Sequence, residues 1–148
     1  MHESIPVNVI LSKSIRSIEI LAIDILVNSN IKIRIVTLYI PPNRSNNTED
    51  INITCDLIAE IIPSKDTPLI LCGDFNAKNI TSDFILSPLY NMLQRLKLSQ
   101  IVDFPTRDSH LIDFIYVSDK NIVSNVEKAP PISDHESITF ELQSIPFI

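Results

Sequence analysis

The chain has a single glycine, and the position of that glycine constrains the fold more than any other sequence feature. Gly73 ends an apolar run, residues 69–72, that begins directly after Pro68. A short apolar run bounded by proline and glycine predicts a buried β-strand. A lone glycine at the carboxyl end of such a strand indicates a backbone conformation that other residues do not tolerate, or a close approach by a ligand. We therefore take residues 69–77 as the segment around which the rest of the fold is arranged.

Polar residues follow this glycine at once: Asp74 and Asn76 flank Phe75. In an extended backbone, residues two apart face the same side, so we expect Asp74 and Asn76 to point together while Phe75 turns into the core. A carboxylate and an amide held at a strand end can orient a water molecule and can hold a hard cation or a phosphate oxygen. For this motif alone, a polar turn after a buried strand is the simpler interpretation.

Length and composition are those of one globular domain. The chain has 148 residues, of which 45% are hydrophobic and 20% charged, which is enough to form a substantial core. It has no run of eighteen or more apolar residues without a charge, so we expect no membrane contact. The amino terminus lacks the basic and apolar regions of a signal peptide, and Cys55 and Cys72 show neither zinc-site nor disulfide spacing. We therefore expect an intracellular protein in which Cys72 is a small core residue.

The net charge of -6 bears on possible partners. Surfaces that bind duplex DNA normally carry an excess of lysine and arginine, so this charge lowers the expectation of tight, unaided DNA binding. A phosphate-handling site can nevertheless be acidic when a divalent metal supplies the positive charge. The charge therefore does not exclude a nucleic-acid substrate.

A β-hairpin is predicted before the central strand. The apolar run 18–27 and the alternating run 31–39 are joined by a polar turn, residues 28–30. The second strand is expected to stop before Pro41, because proline cannot donate a ladder hydrogen bond. Tyr39 then lies at a strand end with its hydroxyl free to reach a ligand, although an amphipathic tyrosine at the edge of the core is the simpler interpretation.

Two helices and two further strands are predicted after the hairpin. Thr48, followed by two acids, begins a helix that ends at Pro63. A helix between two strands is the βαβ pattern and predicts an α/β fold. Ser87, followed by proline, begins a second helix. Residues 101–102 form a short strand candidate, and residues 110–118 form a longer one.

Asp113 is unusual because it lies inside this last apolar strand. A carboxylate inside an apolar strand costs several kcal/mol unless it is paired, so this residue predicts a nearby donor or metal. The alternative is an edge strand on which Asp113 faces water.

Asp134 and His135 form the last candidate pair. A loop stiffened by Pro130 and Pro131 leads to them, directly before an alternating strand at residues 137–143. Adjacent residues of an extended chain point to opposite sides, so one side chain could ligate a metal while the other contacts substrate. The alternative is a solvated polar loop.

Four segments in series resemble the endonuclease/exonuclease/phosphatase superfamily. They are Tyr39 before the two prolines, GDFNA at residues 73–77, IDFIYVS at residues 112–118 and SDH at residues 133–135. The strings LYIPPN, GDFNAKN and DFPTR resemble most the endonuclease domain of non-LTR (LINE-type) retrotransposons. One such motif is weak evidence, whereas four at predicted strand ends are specific. The resemblance covers most of the chain, from about Ile5 onward.

The resemblance implies metal-dependent hydrolysis of phosphodiester bonds in DNA, with Mg²⁺ or Mn²⁺ as the cofactor. By resemblance, Asp74 positions and activates the attacking water, and Asn76 helps to hold the water and the phosphate. Tyr39 and His135 contact the scissile phosphate, and Asp113 orients the His135 ring. Asp134 is associated with the metal. A histidine partner would also explain how Asp113 can be buried. The resemblance further implies action in the nucleus and a downstream reverse transcriptase in the parent polyprotein.

The resemblance also implies a four-layer α/β sandwich, in which two packed mixed β-sheets are flanked by helices. Family members begin with strands that end in an asparagine and in a metal-binding glutamate, upstream of a Gly-Gly hairpin. We expect residues 1–148 to be the C-terminal portion of one such domain without those strands, a partial domain. Glu3 and Glu19 lie in the wrong context to replace that glutamate. We therefore expect weak or absent activity, and aggregation through exposed apolar surface and open sheet edges.

Two other functions fit the same residues. A phosphatase or phosphodiesterase acting on small or lipid substrates suits the acidic composition better than a DNA nuclease does, but the retrotransposon-like strings oppose it. A decayed copy or a binding module that keeps the fold without the chemistry fits the expected loss of the glutamate.

Overall fold

The computed structural model describes residues 6–28, 30–41, 48–76, 87–102, 113–129 and 137–142. These ranges contain eight strands, two α-helices and a 3₁₀ helix, Lys120–Ile122. The strands are β1 (Val7–Ile15), β2 (Ile18–Leu26), β3 (Lys32–Tyr39), β4 (Leu69–Asp74), β5 (Ser99–Gln100), β6 (Asp113–Val117), β7 (Val123–Ala129) and β8 (Ser137–Leu142). The α-helices are α1 (Thr48–Glu60) and α2 (Ser87–Arg95).

Six strands form one mixed sheet in the order β1-β2-β3-β4-β6-β5. Strands β3 and β4 are parallel, and α1 forms the crossover between them, which confirms the predicted βαβ unit. The other neighbours in this sheet are antiparallel, including the predicted hairpin of β2 and β3. Strands β7 and β8 pair as a separate two-stranded sheet. The α/β prediction is therefore confirmed.

One face of the large sheet is covered by the two helices. Its main core cluster contains side chains of β2, β3, β4 and β6 together with apolar residues of both helices. In β2 and β3 these are the even-numbered positions, such as Ala22, Val36 and Leu38, as the twofold period of a strand requires. The helices supply Ile51, Leu57, Ile58, Leu89 and Leu93.

The described residues cover the opposite face only in part. A second cluster joins strands β3, β4 and β6 to Ile122 and Val123, at the beginning of β7. Towards β1 and β2, this face carries exposed apolar side chains: Val9 is 66%, Val7 48% and Leu21 39% exposed. The register pairs Val7 with Ile25 and Val9 with Ile23, so these side chains share one face. The predicted exposed apolar surface is therefore present in the described part of the chain.

Two arginines connect the hairpins with α1 or with the residue that follows it. The guanidinium of Arg34 donates from Nε to Asp24 Oδ1 at 2.7 Å and from Nη2 to Asp24 Oδ2 at 2.9 Å, while Nη1 donates to the Ile61 carbonyl at 3.0 Å. This hydrogen-bonded partner holds the pKa of the Asp24 carboxyl below its ordinary value. Arg16, in the two-residue turn between β1 and β2, contacts the fully buried Asp50 at 2.8 Å.

Some elements differ from the sequence prediction. Strands β1 and β7 were not predicted, and the short strand expected at residues 101–102 lies two residues earlier, at β5. The strand predicted over 110–118 is described from Asp113 to Val117, so Asp113 is the first residue of β6, and residues 110–112 lie outside the described ranges. Neither α1 nor α2 is long and apolar enough to span a membrane, and no other helix among the described residues is either.

Candidate active site

A row of polar residues crosses the large sheet at the carboxyl ends of its two parallel strands. Tyr39, the last residue of β3, pairs in register with Asp74, the last residue of β4. Asp74 in turn pairs with Asp113, the first residue of β6. The row continues to Glu19 on β2, which pairs with Tyr39. Three of the six predicted site residues are therefore neighbours across adjacent strands.

Gly73 allows β4 to lie unusually close to β3. Its φ is +147°, and a Cβ built on it would lie 1.8 Å from the backbone oxygen of Leu38. An L-amino acid rarely adopts this φ, and no side chain fits that space. Of the two explanations given by the sequence, the first therefore holds: Gly73 has a backbone conformation that other residues do not tolerate, and the group that approaches it is the neighbouring strand. The glycine sets the position of Asp74 directly beside Tyr39.

Asn76 departs from the expected extended geometry. Its φ is +48°, in the left-handed region that asparagine tolerates better than most residues. Its backbone N–H donates to Asp74 Oδ1 at 2.9 Å, and its side-chain Nδ2 donates to the Ile40 carbonyl at 2.7 Å. The prediction that Asp74 and Asn76 point together from an extended strand is therefore wrong, because the chain turns at Asn76 and forms a local hydrogen bond. The two residues are nevertheless in direct contact.

Phe75 anchors this segment in the core, as predicted. It is fully buried, and its ring centroid lies 5.3 Å from that of Phe114 and 6.3 Å from that of Tyr116. Phe114 directly follows Asp113, so one aromatic cluster supports the backbone at both Asp74 and Asp113. Burial also raises the pKa of the Tyr116 hydroxyl to about 12.

An open groove of about 640 Å³ lies over the polar row. Tyr39 is 41% exposed, so its ring is accessible to a ligand as expected. The groove is lined by Ser12, Lys13, Ser14, Glu19, Ile20, Leu21, Thr37, Leu38, Tyr39, Gly73 and Asp74. Sequence reasoning set Glu19 aside as a substitute for the family glutamate and did not consider it further. Only the register of the hairpin, which follows from the turn between β2 and β3, reveals that Glu19 lies beside Tyr39.

Two predicted site residues are not described by the structure. Asp134 and His135 lie outside the described residues, so their predicted roles remain predictions. Within the described ranges, no group of three or more His, Cys, Asp and Glu side chains lies close enough to hold a metal ion. The row carries the carboxylate residues Glu19, Asp74 and Asp113, and carboxylate oxygens are ligands that Mg²⁺ prefers. These residues thus fit a hard cation in kind, whereas Asp134, the one predicted metal ligand, lies outside the described residues.

Comparison with known proteins gives the family. A family model described as "Endonuclease-reverse transcriptase" matches residues 33–139, which include β3, α1, β4 and β6. The chain belongs to the endonuclease-reverse transcriptase family. No curated protein sequence matches this family member.

Solved structures show which fold this endonuclease-reverse transcriptase family member adopts. The human Nocturnin catalytic domain with bound sulfate anion is 21% identical, with a TM-score of 0.54 over 93% of this chain and 60% of that one. A mannosyl-6-phosphatase of Bacteroides thetaiotaomicron is 13% identical, with a TM-score of 0.55 over 93% of this chain and 67% of that one. An endonuclease/exonuclease/phosphatase family protein of the same bacterium is 13% identical, with a TM-score of 0.50 over 83% and 54%.

These similarities establish the endonuclease/exonuclease/phosphatase fold. The chain spans about 60% of the Nocturnin catalytic domain, so it corresponds to part of a domain of this kind. Members of the superfamily generally depend on a divalent metal ion. These comparisons identify the fold and the family, and they do not identify the substrate or the activity.

Proposed function

We propose that this chain is part of a metal-dependent, DNA-nicking endonuclease of retrotransposon type. The observation that carries the proposal is the register of Tyr39, Asp74 and Asp113 across β3, β4 and β6. Residues separated by 35 and 39 positions in the sequence meet at one sheet edge, beside an open groove. The match to an endonuclease-reverse transcriptase family model supports the same function.

The predicted site residues would have distinct roles in the proposed reaction. The Asp74 carboxylate is held by the N–H of Asn76 through Oδ1 and would orient the attacking water and accept its proton. The Tyr39 hydroxyl would donate a hydrogen bond to a phosphate oxygen at the exposed end of β3. Asp113 and His135 would form the predicted carboxylate–imidazole pair at the same phosphate. A bound Mg²⁺ or Mn²⁺, held by Asp134 together with nearby oxygen donors, would supply positive charge to the phosphate oxygens.

A nicking assay tests this proposal. We expect purified chain to convert supercoiled plasmid to open circles slowly, only with Mg²⁺ or Mn²⁺ present, and EDTA should abolish the conversion. Asp74→Ala should lower the rate at least about a hundredfold, as expected for the loss of a general base. Asp66→Ala is the matched control, because Asp66 is exposed near the other end of β4. Nicking that survives Asp74→Ala, or hydrolysis of small phosphate esters without any nicking of plasmid, would refute the endonuclease proposal.

A second candidate is hydrolysis of a small or lipid phosphate ester. The net charge of -6 disfavours a long polyanion in the groove, and one similar structure is a mannosyl-6-phosphatase. This activity predicts turnover of bis-p-nitrophenyl phosphate, p-nitrophenyl phosphate or an inositol phosphate at rates that exceed plasmid nicking. Comparison of these substrates with plasmid separates the two activities, since both require Asp74 but only one requires DNA.

A further inference from the structure

We propose that Asn76 is a positioning residue whose side chain takes over a backbone hydrogen bond of the sheet and thereby releases its own N–H to hold Asp74. This inference rests on the function proposed above, because it concerns how Asp74 is fixed beside Tyr39. It differs from the role implied by resemblance, in which Asn76 contacts the water and phosphate directly.

The hydrogen-bond pattern of the parallel pair carries the argument. In a parallel ladder, the N–H of a residue donates to the carbonyl of one residue on the partner strand. The carbonyl of the same residue accepts from the N–H of the partner residue that lies two positions after that one. Ile40 N–H donates to the Asp74 carbonyl at 2.9 Å. The regular donor to the Ile40 carbonyl would therefore be the backbone N–H of Asn76.

That regular bond is replaced. The Ile40 carbonyl accepts instead from the side-chain Nδ2 of Asn76 at 2.7 Å. The Asn76 backbone N–H donates to Asp74 Oδ1 at 2.9 Å. One residue therefore closes the ladder with its side chain and orients the neighbouring carboxylate with its backbone. Because Ile40 directly follows Tyr39, the hydrogen bond from the Asn76 side chain also holds the end of β3 that carries the tyrosine.

The chemistry of asparagine explains why this residue suits the position. Replacement of the backbone hydrogen bond by a side-chain one requires a left-handed backbone, with φ at +48°, and a short side chain that carries an N–H donor. Asparagine meets both requirements better than other residues. Aspartate has the same shape but offers only acceptors when ionised. Its negatively charged carboxylate oxygen would face the partially negative oxygen of the Ile40 carbonyl. Glycine tolerates the backbone but has no donor.

Two variants remove the side-chain donor by different routes. Asn76→Gly keeps the left-handed conformation and removes the amide, and Asn76→Asp keeps the shape and removes the donor. Asn28→Gly is the matched control, because Asn28 Oδ1 accepts from the N–H groups of Asn30 and Ile31 in the turn at the other end of the hairpin. Circular dichroism spectra of all three variants should match the unmodified chain.

Amide hydrogen exchange measures the positioning without reference to activity. We expect the Ile40 N–H to exchange at least about fivefold faster in both Asn76 variants, the change expected from the loss of one adjacent hydrogen bond. The Arg34 N–H, which donates to the Pro68 carbonyl at 2.9 Å at the opposite end of the same strand pair, should be unaffected. Asn28→Gly should leave the exchange of Ile40 unchanged. Ile40 exchange within twofold of the unmodified chain in both Asn76 variants would overturn the proposal.

Kinetics with a phosphodiester substrate provide the second measurement. We expect kcat to fall about ten- to a hundredfold in both Asn76 variants, with KM within about twofold, because a displaced Asp74 affects the reaction step more than substrate binding. A raised KM with unchanged Ile40 exchange would overturn the proposal in favour of direct phosphate contact. If the unmodified chain hydrolyses nothing, as is expected of a partial domain without the family glutamate, the exchange rates alone decide the role of Asn76.

Discussion

Replacement of Gly73 by alanine puts a methyl group where the Leu38 carbonyl oxygen already lies. The added Cβ would be 1.8 Å from this oxygen, whereas real Cβ contacts stay beyond 3.0 Å, so the two strands must separate by more than 1 Å. The strands concerned are β3 and β4, which carry Tyr39 and Asp74 at their ends. The substitution therefore tests whether the close approach of these strands supports both the fold and the site.

The expected loss of stability has two parts. An alanine held at a φ of +147° costs on the order of 1–3 kcal/mol of backbone strain. Separation of the strands weakens the ladder bonds beside Leu38, each worth about 1 kcal/mol net. We therefore expect the free energy of unfolding to fall by about 3–5 kcal/mol. This is a large share of the roughly 5–15 kcal/mol typical of a folded domain.

Urea unfolding followed by far-ultraviolet circular dichroism measures this change. Thr37→Ala is a suitable control, because Thr37 is an exposed residue on β3 opposite Cys72, and its replacement should cost less than about 1 kcal/mol. A Gly73→Ala variant that unfolds within about 1 kcal/mol of the unmodified chain would refute the close-approach argument.

Three further predictions concern the core and the open face. Arg34→Met leaves the buried Asp24 without its bidentate partner, and we expect a loss of about 3 kcal/mol at pH 7. The hydrogen bond from Arg34 lowers the pKa of Asp24, so this contribution is complete above the ordinary value of 3.8 and is lost as pH falls through the lowered folded-state pKa. Burial raises the pKa of Cys55 and Cys72 to about 11 from 9.0, so both thiols should react with iodoacetamide at pH 8 about a hundredfold more slowly in the folded chain than in urea. Leu21→Lys, on the exposed apolar face, should reduce light scattering and raise the soluble concentration.

Each of these predictions has a clear opposing result. Equal stability of the Arg34→Met variant and the unmodified chain between pH 5 and 7 would contradict a stabilising buried pair. Equal thiol reactivity with and without urea would show that the cysteines are accessible. Unchanged scattering after Leu21→Lys, compared with a Glu127→Lys control at an exposed position of β7, would indicate that the apolar face does not drive association.

The elements that sequence patterns predicted well are those with uninterrupted periodicity. The β2–β3 hairpin, the α1 crossover and the buried β4 strand each show a regular run bounded by turn or cap residues. Strands β1 and β7 were missed for a common reason: each contains a register irregularity, between Val9 and Leu11 and between Ser124 and Glu127. Such a bulge interrupts the alternation from which a strand is recognised.

The residues of the site could be predicted from the sequence only in part. Tyr39 and Asp74 were predicted at strand ends and Asp113 inside an apolar strand, and the structure places these three in one register row, with Asp113 as the first residue of β6. A polar turn at this position was the simpler interpretation of the motif, but the left-handed φ of Asn76 and the hydrogen bond from its side chain to the Ile40 carbonyl were not predicted. The position of Glu19 depends on hairpin register, which a one-residue change in the turn would shift.

The central claim is that the edge carrying Tyr39, Asp74 and Asp113 binds the divalent cation of a phosphodiester hydrolase. Titration with Mn²⁺, followed by paramagnetic broadening of amide signals, locates a bound cation directly. The account predicts that the amides of these three residues broaden first, while those of Leu69 and Arg34, at the opposite end of β3 and β4, stay sharp. Broadening centred on another acidic surface, such as that around Glu49 or Asp66, or no selective broadening at all, would contradict the account.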